Sequence, residues 1–229
     1  MEAADGHRER VAILFDIDGT LIDSGGAGAA SWRMAFDELY GVPADIDRYA
    51  DSGMTDPEVG RLTFGRVIGR EPTTRELARL LARRNTLLPG TVAESTGYRV
   101  LPGVRELLPH LCDEGYLLGL TTGGVETAAH IKLERAHLNR YFHFGGYGSD
   151  STDRTELTRK AVERAAMILG RELSREEVLV VGDTPHDIAA AHGADSIGVG
   201  VATGHYSTDE LDAAGADYVL GSLEEELPL

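Results

Sequence analysis

The stretch Val11-Ala12-Ile13-Leu14-Phe15-Asp16-Ile17-Asp18-Gly19-Thr20 decides how the rest of the chain is read. Its five leading apolar residues have strand length and leave no polar face, so they predict a strand covered on both sides. The run stops at two aspartates one residue apart, followed by Gly-Thr. In extended backbone, residues two apart point the same way, which places Asp16 and Asp18 on one side of the strand end.

Working outward, similar apolar runs recur at 116–121, 178–182 and 196–201, and more weakly at 217–220. From the second run onward, helix-like stretches separate them, at 104–114 after Pro102-Gly103, 125–137, 156–169 and 187–192. Apolar strands alternating with helices predict an α/β core, a Rossmann-like doubly wound parallel sheet. The long interval between the first two strands reads as helices instead. These span 29–40 up to Gly41, 56–68, and 75–88 ending at Pro89-Gly90. The glycine-rich run at 24–28 precedes this interval and residues 93–98 follow it, so it is expected to be an inserted helical unit. The expected organisation is a core of residues 1–22 and 97–229 and an insert of residues 23–96. Residues 222–229 read as a short final helical turn.

Bulk composition narrows the function classes. A chain of 229 residues buries a core without disulfides or structural zinc. The 42% apolar and 26% charged fractions are those of a globular protein, not a disordered one. A formal charge of −16 argues against nucleic acid or an anionic membrane as the main partner. A phosphorylated substrate then needs local cations or a metal. The single cysteine, Cys112, excludes an internal disulfide, and its place in the apolar stretch 107–112 predicts a buried, inert thiol. The first ten residues are polar with no apolar core of signal-peptide length, and no run is long enough to span a bilayer, so a cytoplasmic protein is expected.

In a parallel sheet, ligands bind beyond the carboxyl ends of the strands. Three strand ends carry conspicuous polar residues: Asp16 and Asp18, then Thr121-Thr122-Gly123-Gly124, then Gly182-Asp183 with Asp187 following. Carboxylates gathered this way repel and raise one another's pKa unless a cation holds them. Magnesium suits such hard oxygens while leaving room for water and a phosphate oxygen. A carboxylate attacking phosphorus gives an aspartyl-phosphate that a second acid/base residue helps water to hydrolyse.

Plainer readings stand beside these. Asp187 in a first helical turn is stabilised by the helix dipole with or without a metal. His186 beside Pro185 reads as a loop residue, and Gly198, Gly200 and Gly204 as turn geometry. Thr55 and Asp56 read first as a helix N-cap and an acidic first-turn residue, with Pro57 early in the helix. The functional alternative makes Thr55 part of a tip that closes over the site and touches the leaving group. Trp32 and Met34 read as packing inside the insert.

Asp16-Ile17-Asp18-Gly19-Thr20 resembles the first motif of the haloacid dehalogenase superfamily. Leu120-Thr121-Thr122 resembles the second, and Val181-Gly182-Asp183-Thr184-Pro185-His186-Asp187 the fourth. Order and spacing agree over nearly the whole chain, with the helical insert at the place of the family's type-1 cap, and the phosphoglycolate-phosphatase-like branch is nearest. The resemblance implies a magnesium-dependent phosphatase acting on a small phosphorylated metabolite, as monomer or homodimer. It makes Asp16 the nucleophile and Asp18 the general acid/base. Asp16, Asp18 (through its carbonyl), Asp183 and Asp187 would be the magnesium ligands. Thr122 and the Gly123 N–H at a helix start would hold the phosphoryl group. Gly124 stands where many relatives have Asn. The phosphoryl-steadying cation of the third motif falls to Arg154, or else to Lys160. A phosphomutase of the same fold and an inactive metal-binding regulator are the alternatives. Dehalogenation is disfavoured, because that branch lacks the second aspartate. The substrate and the oligomeric state are not written in these motifs.

Overall fold

A computed structural model describes residues 10–229. The polar N-terminal segment therefore lies almost wholly outside the described residues. Strand β1 (Ala12–Phe15) sits centrally in a six-stranded sheet and pairs in parallel with β4 (Leu117–Thr122) on one side and β6 (Val178–Gly182) on the other. Beyond β4 comes β5 (Gly145–Tyr147). Beyond β6 come β7 (Ile197–Val201) and β8 (Tyr218–Leu220), and all pairings are parallel.

The pleat explains why β1 is apolar throughout. Ile13 and Phe15 face a cluster with Leu118, Leu120, Leu179 and Val181, closed by α4 (Val104–Asp113) and α5 (Glu126–Glu134). Ala12 and Leu14 face the other way, against α6 (Arg154–Leu169) and α7 (Pro185–Gly193). Helices on both faces make the sheet doubly wound, and every β1 side chain is removed from water. A last helix, α8 (Thr208–Ala213), packs on β7 and β8.

Between β1 and β4, the short antiparallel pair β2 (Ile22–Asp23) and β3 (Arg99–Val100) brackets three helices. These are α1 (Ala27–Tyr40), α2 (Asp56–Ile68) and α3 (Thr74–Glu94). They have a core of their own around Trp32, Phe36, Phe64 and Leu80. A smaller cluster of Ala27, Leu88 and Val92 ties them to Val125 and Ala128 beside the sheet.

Several details differ from the sequence expectations. Helix α3 does not stop at Leu88 but runs through Pro89 to Glu94. Proline removes one backbone bond, and the burial of Leu88 and Val92 outweighs that loss. Strand β5 was not anticipated, because its Gly-Gly-Tyr carries no β-branched residue. Gly146 serves approach instead: a Cβ there would collide with the Leu157 carbonyl of α6. Helix α5 ends at Glu134, short of His137, which adopts a left-handed φ of 58°. His186 is in the first turn of α7, not in a loop. The C-terminal residues form turns with no helix, pinned by buried Leu223 and Leu227. Cys112 is exposed, because α4 turns Leu108 and Leu111 inward and the thiol outward. Met34 is 43% exposed, whereas Trp32 on the same helix is buried. Among the described residues, no helix is long and apolar enough to cross a membrane.

Candidate active site

Parallel strands deliver their carboxyl ends to one edge, and the sequence has put its acids there. Asp16 follows β1, Asp183 follows β6, and Asp187 lies in the first turn of α7. All three are buried, and among the described residues their carboxylate oxygens form a group lying within 4.8 Å of one another.

Each acid is fixed by its surroundings. Asp183 accepts a hydrogen bond from Thr20 Oγ1 at 3.3 Å. It is also boxed in by Gly19 and Gly204, where an added Cβ would strike its carboxylate. Gly204 thus makes room for a site residue, beyond the turn geometry expected of it. Asp187 uses Oδ2 in a reciprocal cap with Thr184, accepting from the Thr184 hydroxyl at 2.7 Å. Its Oδ1 remains to meet Arg154. Asp187 therefore caps its own helix through one oxygen and turns the other toward Arg154.

Arg154, the first residue of α6, reaches back over this group. Its guanidinium pairs with Asp187, lies 3.5 Å from Asp16 Oδ1 and donates to the Gly53 carbonyl at 3.0 Å. Burial, and then the nearby Asp187 carboxylate, pushes Asp16 up to about 7 in spite of the lowering pull of Arg154. Burial, then Asp16 and Asp187, pushes Asp183 up to about 8. Burial alone would weaken Arg154 as a cation, but the two carboxylates outweigh it and raise its pKa. Three buried acids against one guanidinium leave an excess of negative charge.

The remaining candidates fall into two groups. Thr122 ends β4 and is buried, with its hydroxyl accepting from Gly124 N–H at 3.2 Å. The neighbouring Thr121 points to the opposite face, bonded to Thr158 at 2.7 Å. Gly123 lies in the loop before α5 and not at the helix start itself. Thr55 occupies the N-cap position of α2, but its side chain makes no capping bond, and its buried hydroxyl has no partner. Lys160 is not brought to the site. It lies on the outer face of α6, 49% exposed and paired with Glu163, because its six-residue separation from the inward-facing Arg154 is about 1.7 helical turns and sets the two on different faces.

Two buried cations were missed, Lys132 and, in the helical unit, Arg84. Lys132 of α5 is buried and pairs with Asp18 Oδ2. Its signal in the sequence was a lysine on the helix face that buries Ala128, Ala129 and Leu133. Asp18 and Lys132 line a cavity of about 780 Å³, whose far wall includes Trp32, Val59 and Arg84 of the helical unit.

A family model for haloacid dehalogenase-like hydrolases matches residues 11–195. The chain belongs to that family. Within it, the chain resembles the phosphoglycolate-phosphatase-like branch. The chain is 27% identical to the "Probable phosphatase IndB" of Dickeya dadantii, over 93% of this chain and 90% of that one. It is also 27% identical to the phosphoglycolate phosphatase of Escherichia coli O157:H7, over 94% and 90%. A hydrolase from Pseudomonas syringae superposes with a TM-score of 0.68 at 27% identity, covering 94% of each chain. This haloacid dehalogenase-like protein is thus an enzyme of the phosphatase type, with the α/β core that its strand pattern predicts.

Proposed function

We propose that the protein hydrolyses small phosphomonoesters in the cavity between the sheet edge and residues 23–96, which act as its cap. The observation that carries this reading is the buried group of Asp16, Asp183 and Asp187 with Arg154 lying across it. Such a group combines a carboxylate nucleophile, a cation for phosphoryl oxygens and a set of hard metal ligands.

The donor set fits magnesium. Its carboxylate oxygens are close and buried, and a divalent cation offsets the burial and mutual repulsion that raise Asp16 and Asp183. Asp16, Asp183, Asp187 and the Asp18 carbonyl would hold it. Bound magnesium supplies charge neutralisation to the phosphoryl group.

The chain's own residues account for the remaining chemistry. Asp16 attacks phosphorus and becomes an aspartyl-phosphate. Arg154 steadies the phosphoryl oxygens, helped by the Thr122 hydroxyl and the Gly123 N–H. Asp18, held beside Lys132, gives a proton to the leaving oxygen and later takes one from the attacking water. The cap keeps bulk water out during transfer.

The deciding experiment is a panel of phosphorylated metabolites, with and without magnesium, scored for free phosphate and for isomerised product. Free phosphate released only with magnesium supports the reading. Isomerised sugar phosphate without free phosphate replaces it with a mutase. Absence of both products, together with failure to bind vanadate in the presence of magnesium, replaces it with a regulator.

A further inference from the structure

We infer that Asp56, neutralised by Arg84, is a positioning residue that joins descent of the helical unit to ordering of the loop after Thr122. The turnover part of this inference rests on the phosphatase reading above; the structural part stands without it.

Residues 53–56, just ahead of and at the start of α2, lie directly on the core. Asp56 grips the core loop at two points. Its own N–H donates to the Gly123 carbonyl at 2.8 Å, and its Oδ2 accepts the Val125 N–H at 2.9 Å. Three residues that directly follow Thr122 are thereby clamped by one residue of the helical unit. A first-turn aspartate serving only its own helix has no such reach. Here the carboxylate satisfies the backbone of a different segment, 69 residues away in sequence.

The clamp needs a buried carboxylate, and that needs a counter-charge. Arg84 of α3 provides it from within the same unit, at 3.1 Å. Arg84 is 1% exposed, and its guanidinium lies 5.4 Å from the Trp32 ring. Carboxylate and cation therefore travel together, while the Val125 amide waits on the core.

The two glycines of the loop fit this contact. A Cβ at Gly123 would stand 2.5 Å from the Met54 carbonyl, so only glycine admits the segment. At Gly124 a Cβ would lie 3.7 Å from Asp56 Oδ2, an ordinary contact, so the clamp places its steric demand on Gly123. Arg154 extends the same docking by donating to the Gly53 carbonyl. Descent of the unit and completion of the loop beside Asp16 are then one event, which keeps phosphoryl transfer from starting in an open site.

The test uses the full-length protein and the variants D56A, D56N and R84M. Amide exchange is followed over residues 122–128, the emission of the single tryptophan reports on Trp32, and aryl-phosphate turnover is measured with magnesium. In D56A and R84M, exchange at residues 123–126 is expected to accelerate about tenfold or more, while β1 and β6 keep their protection. D56N falls between, because its amide oxygen still accepts from Val125 but cannot neutralise Arg84. Trp32 emission shifts in R84M, and turnover at saturation falls about a hundredfold in D56A with KM little changed. Unchanged exchange in the loop overturns the inference, as does equal acceleration in loop and core strands, or full turnover in D56A. If the wild-type protein releases no phosphate from any substrate, the phosphatase reading fails and the exchange data alone decide the clamp.

Discussion

Arg154 and Arg84 are both buried guanidiniums paired with aspartates, one at the sheet edge and one within the helical unit. On the core side, Arg154 faces Asp16 and Asp187, with Asp183 close behind. On the helical side, Arg84 faces Asp56 alone and lies over Trp32. The Arg84 pair is neutral, the ordinary way to bury charge. The Arg154 group is left with surplus negative charge, and burial with mutual repulsion raises Asp16 and Asp183 toward neutral pH. A neutral pair builds structure, whereas the unbalanced group is where the proposed cation and phosphoryl group would bind.

The largest effect should come from the centre of the unbalanced side. Asp16→Asn is expected to abolish phosphate release, by at least about ten-thousandfold, while thermal unfolding shows no loss of stability. Retained activity would remove Asp16 from its assigned role.

The two arginines should then separate by type of damage. Arg154→Met is expected to cut turnover about a hundredfold to a thousandfold with the fold intact. Arg84→Met is expected to loosen the helical unit locally by leaving Asp56 buried and unpaired, seen as faster amide exchange in α2, α3 and the loop after Thr122 with β1 and β6 unchanged. If Arg154→Met also loosens the helical unit, or Arg84→Met leaves it as protected as wild type, the contrast between the two sides collapses.

The surplus charge also predicts a pH dependence. Asp16 and Asp183 have native pKa values raised above 3.8, so the metal-free native state binds protons more tightly than the unfolded chain. Their contribution to stability is therefore full below about pH 4 and is lost as pH rises toward about 8. In a chelator at about pH 8, Asp183→Asn should be more stable than wild type by roughly 1–2 kcal/mol, and magnesium should restore the wild type. Melting curves across this range check it, and a less stable Asp183→Asn at the upper end would contradict it.

The smallest effect belongs to a residue on neither side. Lys160 and Glu163 form an exposed pair on α6, so Lys160→Ala should leave KM and turnover unchanged and shift stability by less than about 0.5 kcal/mol. A large rise in KM would return Lys160 to the site.

The acids of the site were legible because each follows an apolar strand, and a strand end in a parallel sheet has a known address. Asp16 and Asp183 could be placed from local pattern alone. Arg154 was legible by position, just ahead of a helix, whereas Lys160 lay on the same helix with nothing in the sequence to show which face turned inward. Lys132 and Arg84 were not legible as site residues, because a cation on a helix is usually solvated. Only the packing of α5 and α3 buries these two. Strand β5 escaped for a different reason: its glycines accommodate α6 and carry no strand propensity of their own.

The sequence by itself determined the α/β alternation, the strand ends and the acids standing on them, since hydrophobic period and chain order are local properties. The tertiary structure decided which charges meet. Asp56 comes down on the loop after Thr122, Lys132 reaches Asp18, and Arg154 bridges Asp16 to Gly53. Those pairings join segments tens of residues apart or more, and no period in the chain encodes the distance between them. They exist because burying a charge requires a partner, and only the fold brings the partner within reach.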